Sequence, residues 1–516
     1  MQHDDAGQAP VFAFLSDPAT HGGAAVKRID THAASVFLTG ERAFKVKRAV
    51  RFPFLDYSTL ERRRDACEME IAVNRPFAPQ IYRRALPITR EPDGRLALDG
   101  KGAPLEWAVE MRRFDERETL DRLAADRMID AALADRLGVM VAASHKAAPA
   151  FDAKTWLDAL AGFVSQNDAA LRALPELFPP DAVADLTAAS RTMLNNLRSP
   201  VLERGRLGLI RRCHGDLHLG NIAMIEGKPV LFDAIEFDPK VATGDVLYDL
   251  AFLLIDLVDR GLRSQANIVL NRYLLAAGQD ENLSGLAALP LYQSVRAAIR
   301  AKVTAARLQQ TEAAPSSLAE AARGYFALAM RAIHPKAPVL VAIGGLSGTG
   351  KSALARDIAA SVLPIPGAIM LRSDIERKAI CGVEETARLP ASGYQPDVTA
   401  QVYALLARKA ERVIAAGHSA IVDAVFAKLE ERRDIEAAAA RHGTPFCGLF
   451  LTADLETRVR RVGARTNDAS DADAAVAHRQ EDYDLGTIGW KQIDASGTPA
   501  QTLGRAKAAI AQREAV

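Results

Sequence analysis

The sequence predicts a multidomain protein: an α+β module built as a β-rich lobe and then an α-rich lobe, followed by an α/β module with a parallel sheet. Three observations carry this reading. Short β-prone runs near the N-terminus give way to helical periodicity almost throughout after Glu118. Two prolines in Pro335-Lys336-Ala337-Pro338 then stop a helix and start something new. Beyond them, apolar strand candidates alternate with helices over short connections, the pattern of a parallel sheet. The modules so defined are 1–115, 116–334 and 335–516.

In the first lobe, residues 24–29, 35–38 and 43–46 are β-prone, and Thr39-Gly40-Glu41-Arg42 supplies a hairpin turn between the last two. Leu60–Asn74 follows as a helix with Ala66, Met69 and Val73 on one face, and 106–113 as another strand. Two short strands interrupt the helical lobe within 214–233. In the last module the strand candidates are 339–343, 368–371, 420–422 and 446–451, with 400–415 helical between the second and third. No repeat of 20–50 residues is present.

Composition narrows the class. At 516 residues the chain exceeds one ordinary core. Its 49% apolar and 25% charged content is that of a globular chain and excludes large-scale disorder. A net charge of +1 supplies no global field for nucleic acid or an anionic membrane, so nucleic acid is not favoured as a partner. Cys67, Cys213, Cys381 and Cys447 form no CxxC pair, which argues against zinc and disulfides and fits a reducing cytosol. No basic-then-apolar leader opens the chain, and the most apolar stretch, 247–258, holds Asp249 and Asp256 and is too short to span a bilayer. A cytoplasmic protein without a membrane segment is expected.

The strongest motif is Gly345-Leu346-Ser347-Gly348-Thr349-Gly350-Lys351-Ser352, placed between a strand and a helix. This is G-x-x-x-x-G-K-[ST]. Gly345, Gly348 and Gly350 let the backbone N–H groups turn toward phosphate oxygens; Lys351 reaches the β- and γ-phosphates and Ser352 ligates Mg²⁺. ATP and Mg²⁺ are therefore the expected cofactors. Asp374 follows the second strand, where a carboxylate faces the ligand crevice and can take the proton of an acceptor hydroxyl; a helix N-cap is its structural alternative. Arg377, one turn on, suits an anionic part of the substrate. Asp423 ends the next strand, near Mg²⁺ or the acceptor, or in a structural role. Arg458, Arg461 and Arg465 lie on one helical side, followed by the polar Asp468, Asp471 and Asp473; arginines so placed suit a lid over transferring phosphates, with a solvated basic helix face as the structural alternative. On these residues the segment 337–496 resembles small P-loop kinases of the gluconate kinase, polynucleotide 5′-kinase and zeta-toxin type. The resemblance implies Asp374 as base, Arg458, Arg461 and Arg465 as lid residues, and 493–496 as the last strand and base-binding turn.

The second constellation is His214-Gly215-Asp216-Leu217-His218-Leu219-Gly220-Asn221, with Asp233 twelve residues beyond Asn221. Asp-x-x-x-x-Asn followed by a second Asp is the set protein kinases use for the catalytic base and Mg²⁺. Upstream, Lys45 in a strand and Glu70 in the next helix follow the order of a kinase Lys–Glu pair, with Lys47 and Glu68 as alternatives. His214 braces the loop rather than binding metal, and Asp245 and Asp249 are scaffolding or caps. Trp107 and Phe114 read as core rather than as a stacking platform. Residues 24–325 resemble the aminoglycoside phosphotransferase and choline kinase family, which shares the protein-kinase fold. The resemblance implies Asp216 as base, Asn221 and Asp233 as Mg²⁺ ligands, and Lys45 with Glu70 on the ATP phosphates. The chain departs from the protein-kinase pattern in two places. It has no G-x-G-x-x-G, the turn Thr31-His32-Ala33-Ala34-Ser35 offering hydroxyls instead, and Asp233-Ala234-Ile235 stands for Asp-Phe-Gly. The expected function is a bifunctional ATP-dependent kinase acting on small molecules or nucleotides; the alternative is a P-loop kinase whose first domain senses nucleotide.

Overall fold

The computed structural model describes residues 5–52, 55–308, 315–464 and 469–514. It forms two compact units. The first comprises Met1–Asp130, Ala143–Leu160 and Gly208–Asp256; the second comprises Ala131–Ala142, Ala161–Leu207 and Leu257–Val516. Among the described residues no helix is long and apolar enough to cross a membrane.

The first unit opens with helix α1 (Asp5–Ser16), followed by strands β1 (Val26–Asp30), β2 (Ala34–Thr39) and β3 (Arg42–Lys47). Helix α2 (Leu60–Asn74) precedes β4 (Tyr82–Arg90), β5 (Leu96–Leu98) and β6 (Ala103–Arg112). These strands form one antiparallel sheet in the order β1-β2-β3-β6-β4-β5. Alternation along β3 sends Phe44 and Val46 to one face and Lys45 and Lys47 to the other. Phe44 and Val46 pack on Val11, Phe12 and Leu15 of α1. The lysine face is turned toward α2, whose start is capped by Thr59 Oγ1 accepting from Arg62 N.

The buried face of α2 is not the one its apolar residues suggest. Met69 is 45% exposed, and the residues turned inward are Arg63, Cys67, Glu70 and Asn74. Each polar member has a partner across the interface. Arg63 pairs with Glu106, Glu70 with the β3 lysines, and Asn74 with both backbone groups of Ala234. Polar pairing sets this helix's orientation, so a count of apolar spacing points to the wrong face. The hairpin β7 (Ile222–Ile225) and β8 (Lys228–Leu231) turns through Glu226 and Gly227, both at positive φ as a tight hairpin requires. Helix α3 (Val246–Asp259) is buried along most of its length, with Asp249 and Asp256 inside.

The second unit holds helix α4 (Arg263–Ala277) and a five-stranded parallel sheet. Its elements are β9 (Leu340–Gly345), helix α5 (Lys351–Ala359), β10 (Ile369–Arg372), α6 (Ser373–Ile380), β11 (Ala420–Asp423), β12 (Phe446–Thr452), α7 (Leu455–Gly463) and β13 (Lys491–Asp494). Strand order is β10-β11-β9-β12-β13. The central β9 is buried at every residue, and Val341, Ile343, Leu354, Ile358, Leu449 and Ile493 fill the core beside it. Central placement in a parallel sheet explains the unbroken apolar run that marks this strand in the sequence.

Candidate active sites

In the first unit three links zip the segment 214–221 to the segment 232–235. Phe232 N donates to Asn221 O, Ile235 N donates to His214 O, and His214 Nε2 bonds Phe232 O at 2.9 Å. His214 is thus the expected brace, and burial lowers its pKa. The loop is also held from α3. Asp249 accepts from Gly215 N at 2.8 Å and His214 N at 3.3 Å, and Asp256 accepts from Leu219 N at 2.9 Å. Asp249 is therefore the expected scaffold. Asp256 does the same for the far side of the loop, a role that no motif spacing marks. Asp245 accepts from Leu247 N, a local cap.

Within this frame Asn221 Nδ2 donates to Asp216 Oδ2 at 3.1 Å and to Asp216 O at 3.0 Å. His218 Nδ1 accepts from Gly220 N at 3.0 Å, which puts the ring proton on Nε2, 3.4 Å from Asp216 Oδ2. His218 is thus a neighbour of Asp216, a contact that spacing alone does not reveal. Asp233 sits at φ +60 with its N–H on Tyr82 Oη. Its Oδ1 meets Lys45 Nζ at 2.7 Å, and the same ammonium meets Glu70 Oε1 at 2.9 Å. Asp216, Asn221 and Asp233 offer hard oxygen donors of the kind Mg²⁺ takes.

The two lysines divide their tasks. Lys45 is 15% exposed at its side chain; Lys47 is 3% exposed and pairs with Glu70 Oε2 and Glu236 Oε1. Burial by itself would raise the Glu70 pKa, but Lys45 and Lys47 override it and hold the carboxyl well below its ordinary range. Glu68, the other acidic candidate, is half exposed and paired with Arg64. Of the two lysines, Lys45 combines solvent access with both Glu70 and Asp233. Lys47→Met leaves the buried Glu236 without its cation and Glu70 with Lys45 alone, and is expected to cost about 3 kcal/mol of stability, the scale for breaking a buried pair. Lys45→Met, with Lys47 still neutralising Glu70, is expected to cost less than about 1.5 kcal/mol on the same scale. Urea unfolding of the two variants checks the order.

The turn above this site differs from the expectation. Thr31 Oγ1 bonds both Ala34 N and Ala34 O, and Ser35 Oγ donates to Asp30 Oδ1 at 2.6 Å. Both hydroxyls are committed within the fold. Trp107 and Phe114 pack against the cluster of Cys67, Ile81 and Val109, as core. His145, Cys213 and Asp249 lie within 4.8 Å of one another, but the Asp249 oxygens are taken by His145 and by the two loop N–H groups.

In the second unit the glycines of the phosphate loop have φ of +134, +86 and +93 at Gly345, Gly348 and Gly350. A Cβ at Gly345 would lie 2.5 Å from Leu451 O, and one at Gly348 would lie 2.5 Å from Arg458 O. Glycine is required at both on grounds of space and conformation. Lys351 Nζ donates to Leu346 O at 3.2 Å, so the ammonium curls over its own loop. Ser352 Oγ bonds Asp423 Oδ2 at 2.5 Å, a hydroxyl and carboxylate pair suited to Mg²⁺.

Lys351, Ser352, Asp374 and Asp423 line one cleft of about 880 Å³. Asp374 lies in the first turn of α6, after the Arg372 N-cap, so capping is not its role. Burial, and next the Asp423 charge, raise its pKa, while Lys351, Arg372 and a hydrogen bond from Ser470 act the other way. Arg377 is turned into the fold: it donates to Gly393 O at 2.9 Å and Thr399 Oγ1 at 3.1 Å, and lies 5.0 Å from the Tyr394 ring centre. Asp471 collects Lys378, Leu389 N and Tyr394 Oη, tying the cleft's outer loop to the segment after α7. Asp473 caps the helix beginning at Ala474.

The expected arginine row separates. Arg458 is 1% exposed and donates to Ser347 O, Ala477 O and Gln480 Oε1, and pairs with Glu481. It brackets the phosphate loop to the segment 477–481. Gln480 Oε1 in turn accepts from Ser347 N at 2.7 Å. Arg461 donates to Gly497 O and lines a smaller cleft of about 260 Å³ with Gly348, Gly350, Ala495 and Thr502. Arg465 and Asp468 lie outside the described residues.

Residues 30–289 match the family described as phosphotransferase enzyme family, and residues 340–483 match one described as AAA domain. Among curated proteins, an uncharacterized protein of Mycobacterium tuberculosis is 30% identical over 495 residues, which cover 92% of this chain and 94% of that protein. Among solved structures, a choline/ethanolamine kinase family protein from Mesorhizobium loti aligns at 12% identity and a TM-score of 0.36, covering 63% of this chain and 99% of that one. A gluconokinase from Sinorhizobium meliloti 1021 aligns at 19% identity and a TM-score of 0.26, covering 34% and 94%. The architecture is the expected one: a kinase-like N-terminal domain and a C-terminal domain with a parallel five-stranded sheet.

Proposed function

The chain belongs to the phosphotransferase enzyme family, and on that premise we propose that it is an ATP-dependent kinase with two separate sites, each moving the γ-phosphoryl group to a hydroxyl of a small molecule or nucleotide. The observation that supports this reading is common to both units: a candidate base carboxylate accompanied by a lysine and by oxygen donors of the kind Mg²⁺ takes. Asp216 stands against Asn221, and Lys45 against Asp233. Asp374 shares a cleft with Lys351, Ser352 and Asp423. The functional modules are 1–115, 116–334 and 335–516.

At each site the base carboxylate takes the acceptor hydroxyl proton as the new O–P bond forms and the bond to the ADP oxygen breaks. Asn221 and Asp233, or Ser352 and Asp423, would hold Mg²⁺, which would supply neutralisation of phosphate charge. Lys45 and Lys351 orient the phosphates. Glu70, kept ionised between two lysines, fixes the Lys45 ammonium. His218 orients Asp216, and Ser470 orients Asp374. Phosphoryl transfer depends mainly on such positioning and charge neutralisation.

A second reading, in which the first site binds nucleotide without turnover, is favoured by one observation: the turn 31–35 lacks glycine and its hydroxyls are committed. Calorimetric titration with a non-hydrolysable ATP analogue and Mg²⁺ tests the site count common to both. Two equivalents are expected for the wild type, one for Lys351→Ala and one for Lys45→Met. A single equivalent in the wild type would contradict the two-site proposal.

A further inference from the structure

Strand β10 lies at the edge of the parallel sheet. An edge strand leaves a row of backbone groups without a strand partner. Here α4 supplies side-chain amides in their place. Asn271 Oδ1 accepts from Met370 N at 2.7 Å, and Asn271 Nδ2 donates to Ala368 O at 3.1 Å. Asn267 Nδ2 donates to the same carbonyl at 3.0 Å. A primary amide carries one acceptor and two donors, so Asn271 bonds the strand much as a peptide group of a further strand would.

The two asparagines are one helical turn apart and share a face. Their approach is close. Gly367, at φ +141, has no room for a Cβ, which would lie 2.7 Å from Asn267 Nδ2 and 2.4 Å from Ala359 O. The next residue of the helix, Arg272, pairs with Glu385 at 2.6 Å, three residues before Arg388, which with Leu389 lines the large cleft. One helix therefore bonds both the strand that leads into Asp374 and a residue three positions before the cleft-lining Arg388.

We propose that Asn267 and Asn271 are positioning residues for the P-loop site: they fix the height of β10, and with it Asp374, relative to the phosphate-binding groups. The inference rests on the reading of Asp374 as base. Lys351 and Ser352 follow the central strand β9, which is bonded by β11 and β12 on its two sides, so loss of the amides displaces the acceptor side and spares the nucleotide side.

The probe is Lys351-dependent ATP hydrolysis by the full chain, with water as acceptor. Asn271→Leu is expected to lower kcat 10- to 100-fold, to leave ATP-analogue affinity within twofold, and to move the acidic limb of the rate–pH profile. Asn271→Asp, which keeps the acceptor for Met370 N–H, is expected to be intermediate and serves as the deciding variant if the leucine form does not fold. Unchanged kcat with unchanged pH profile in the folded variants overturns the proposal, as does equal loss of analogue binding and rate. Asp374→Asn run beside them separates the two claims: if that variant keeps full activity, the base reading itself fails.

Discussion

Asp216→Asn is expected to lower phosphoryl transfer at the first site about a thousand-fold, within the range for removing a positioned general base, while leaving Mg²⁺–ATP bound. The substitution preserves shape, so the loop held by Asp249, Asp256 and His214 stays in place. It removes the carboxylate that would accept the hydroxyl proton, and it turns an acceptor facing Asn221 Nδ2 and His218 into an amide. A loss of kcat with analogue affinity unchanged, measured on the Lys351→Ala background to silence the other site, is the signature. Equal loss of affinity would instead mean that Asp216 serves nucleotide binding.

Asp374→Asn is expected to do two opposite things. Turnover at the P-loop site falls about a hundred- to ten-thousand-fold. Thermal stability near pH 7 rises. The folded protein holds this carboxyl above its ordinary pKa, first through burial and then through Asp423. It therefore binds a proton more tightly than the unfolded chain does, and stability is lost as pH rises from the unfolded pKa through the folded one. Above that window the charged Asp374 is a standing cost, which the amide removes. The Tm difference between variant and wild type should shrink as pH falls below the ordinary carboxylate range. The same raised pKa places the acid limb of the wild-type rate profile above that range. A variant less stable than wild type at pH 7 would show that Asp374 is held by contacts an amide cannot keep.

Much of this is legible in the sequence because the candidate phosphate-binding motifs are local. Gly345 to Ser352 and His214 to Asn221 each act within one short stretch of chain, so spacing alone locates them. Strands β9 to β12 are equally plain, being marked by apolar runs, and the extent of the Leu60–Asn74 helix follows from its helical spacing. What fails is the direction of a side chain decided by distant partners. The inward face of α2 is polar because Glu106, Lys45, Lys47 and Ala234 meet it there. Arg458 is an arginine at lid spacing, yet it is drawn inward onto Ser347 O and Ala477 O, whereas Arg377 bonds Gly393 O and still lines the large cleft. The choice between Lys45 and Lys47 needs the third dimension, since both share a strand face and Glu70 and differ in their other partner, Asp233 for Lys45 and the buried Glu236 for Lys47. The amide cover on β10 leaves no signal, because Asn267 and Asn271 stand about a hundred residues from the strand they bond.

The central claim is that two chemically independent phosphotransferase sites reside on one chain. The measurement that tests it most directly is acceptor-dependent ADP release, against pooled metabolites with Mg²⁺–ATP, by wild type, Asp216→Asn, Lys351→Ala and the double variant. Two sites predict that each single variant removes a separate portion, that the portions sum to the wild-type rate, and that the double variant has none. If Lys351→Ala alone abolishes everything and Asp216→Asn changes nothing, the claim is contradicted and the first domain is left as a nucleotide sensor.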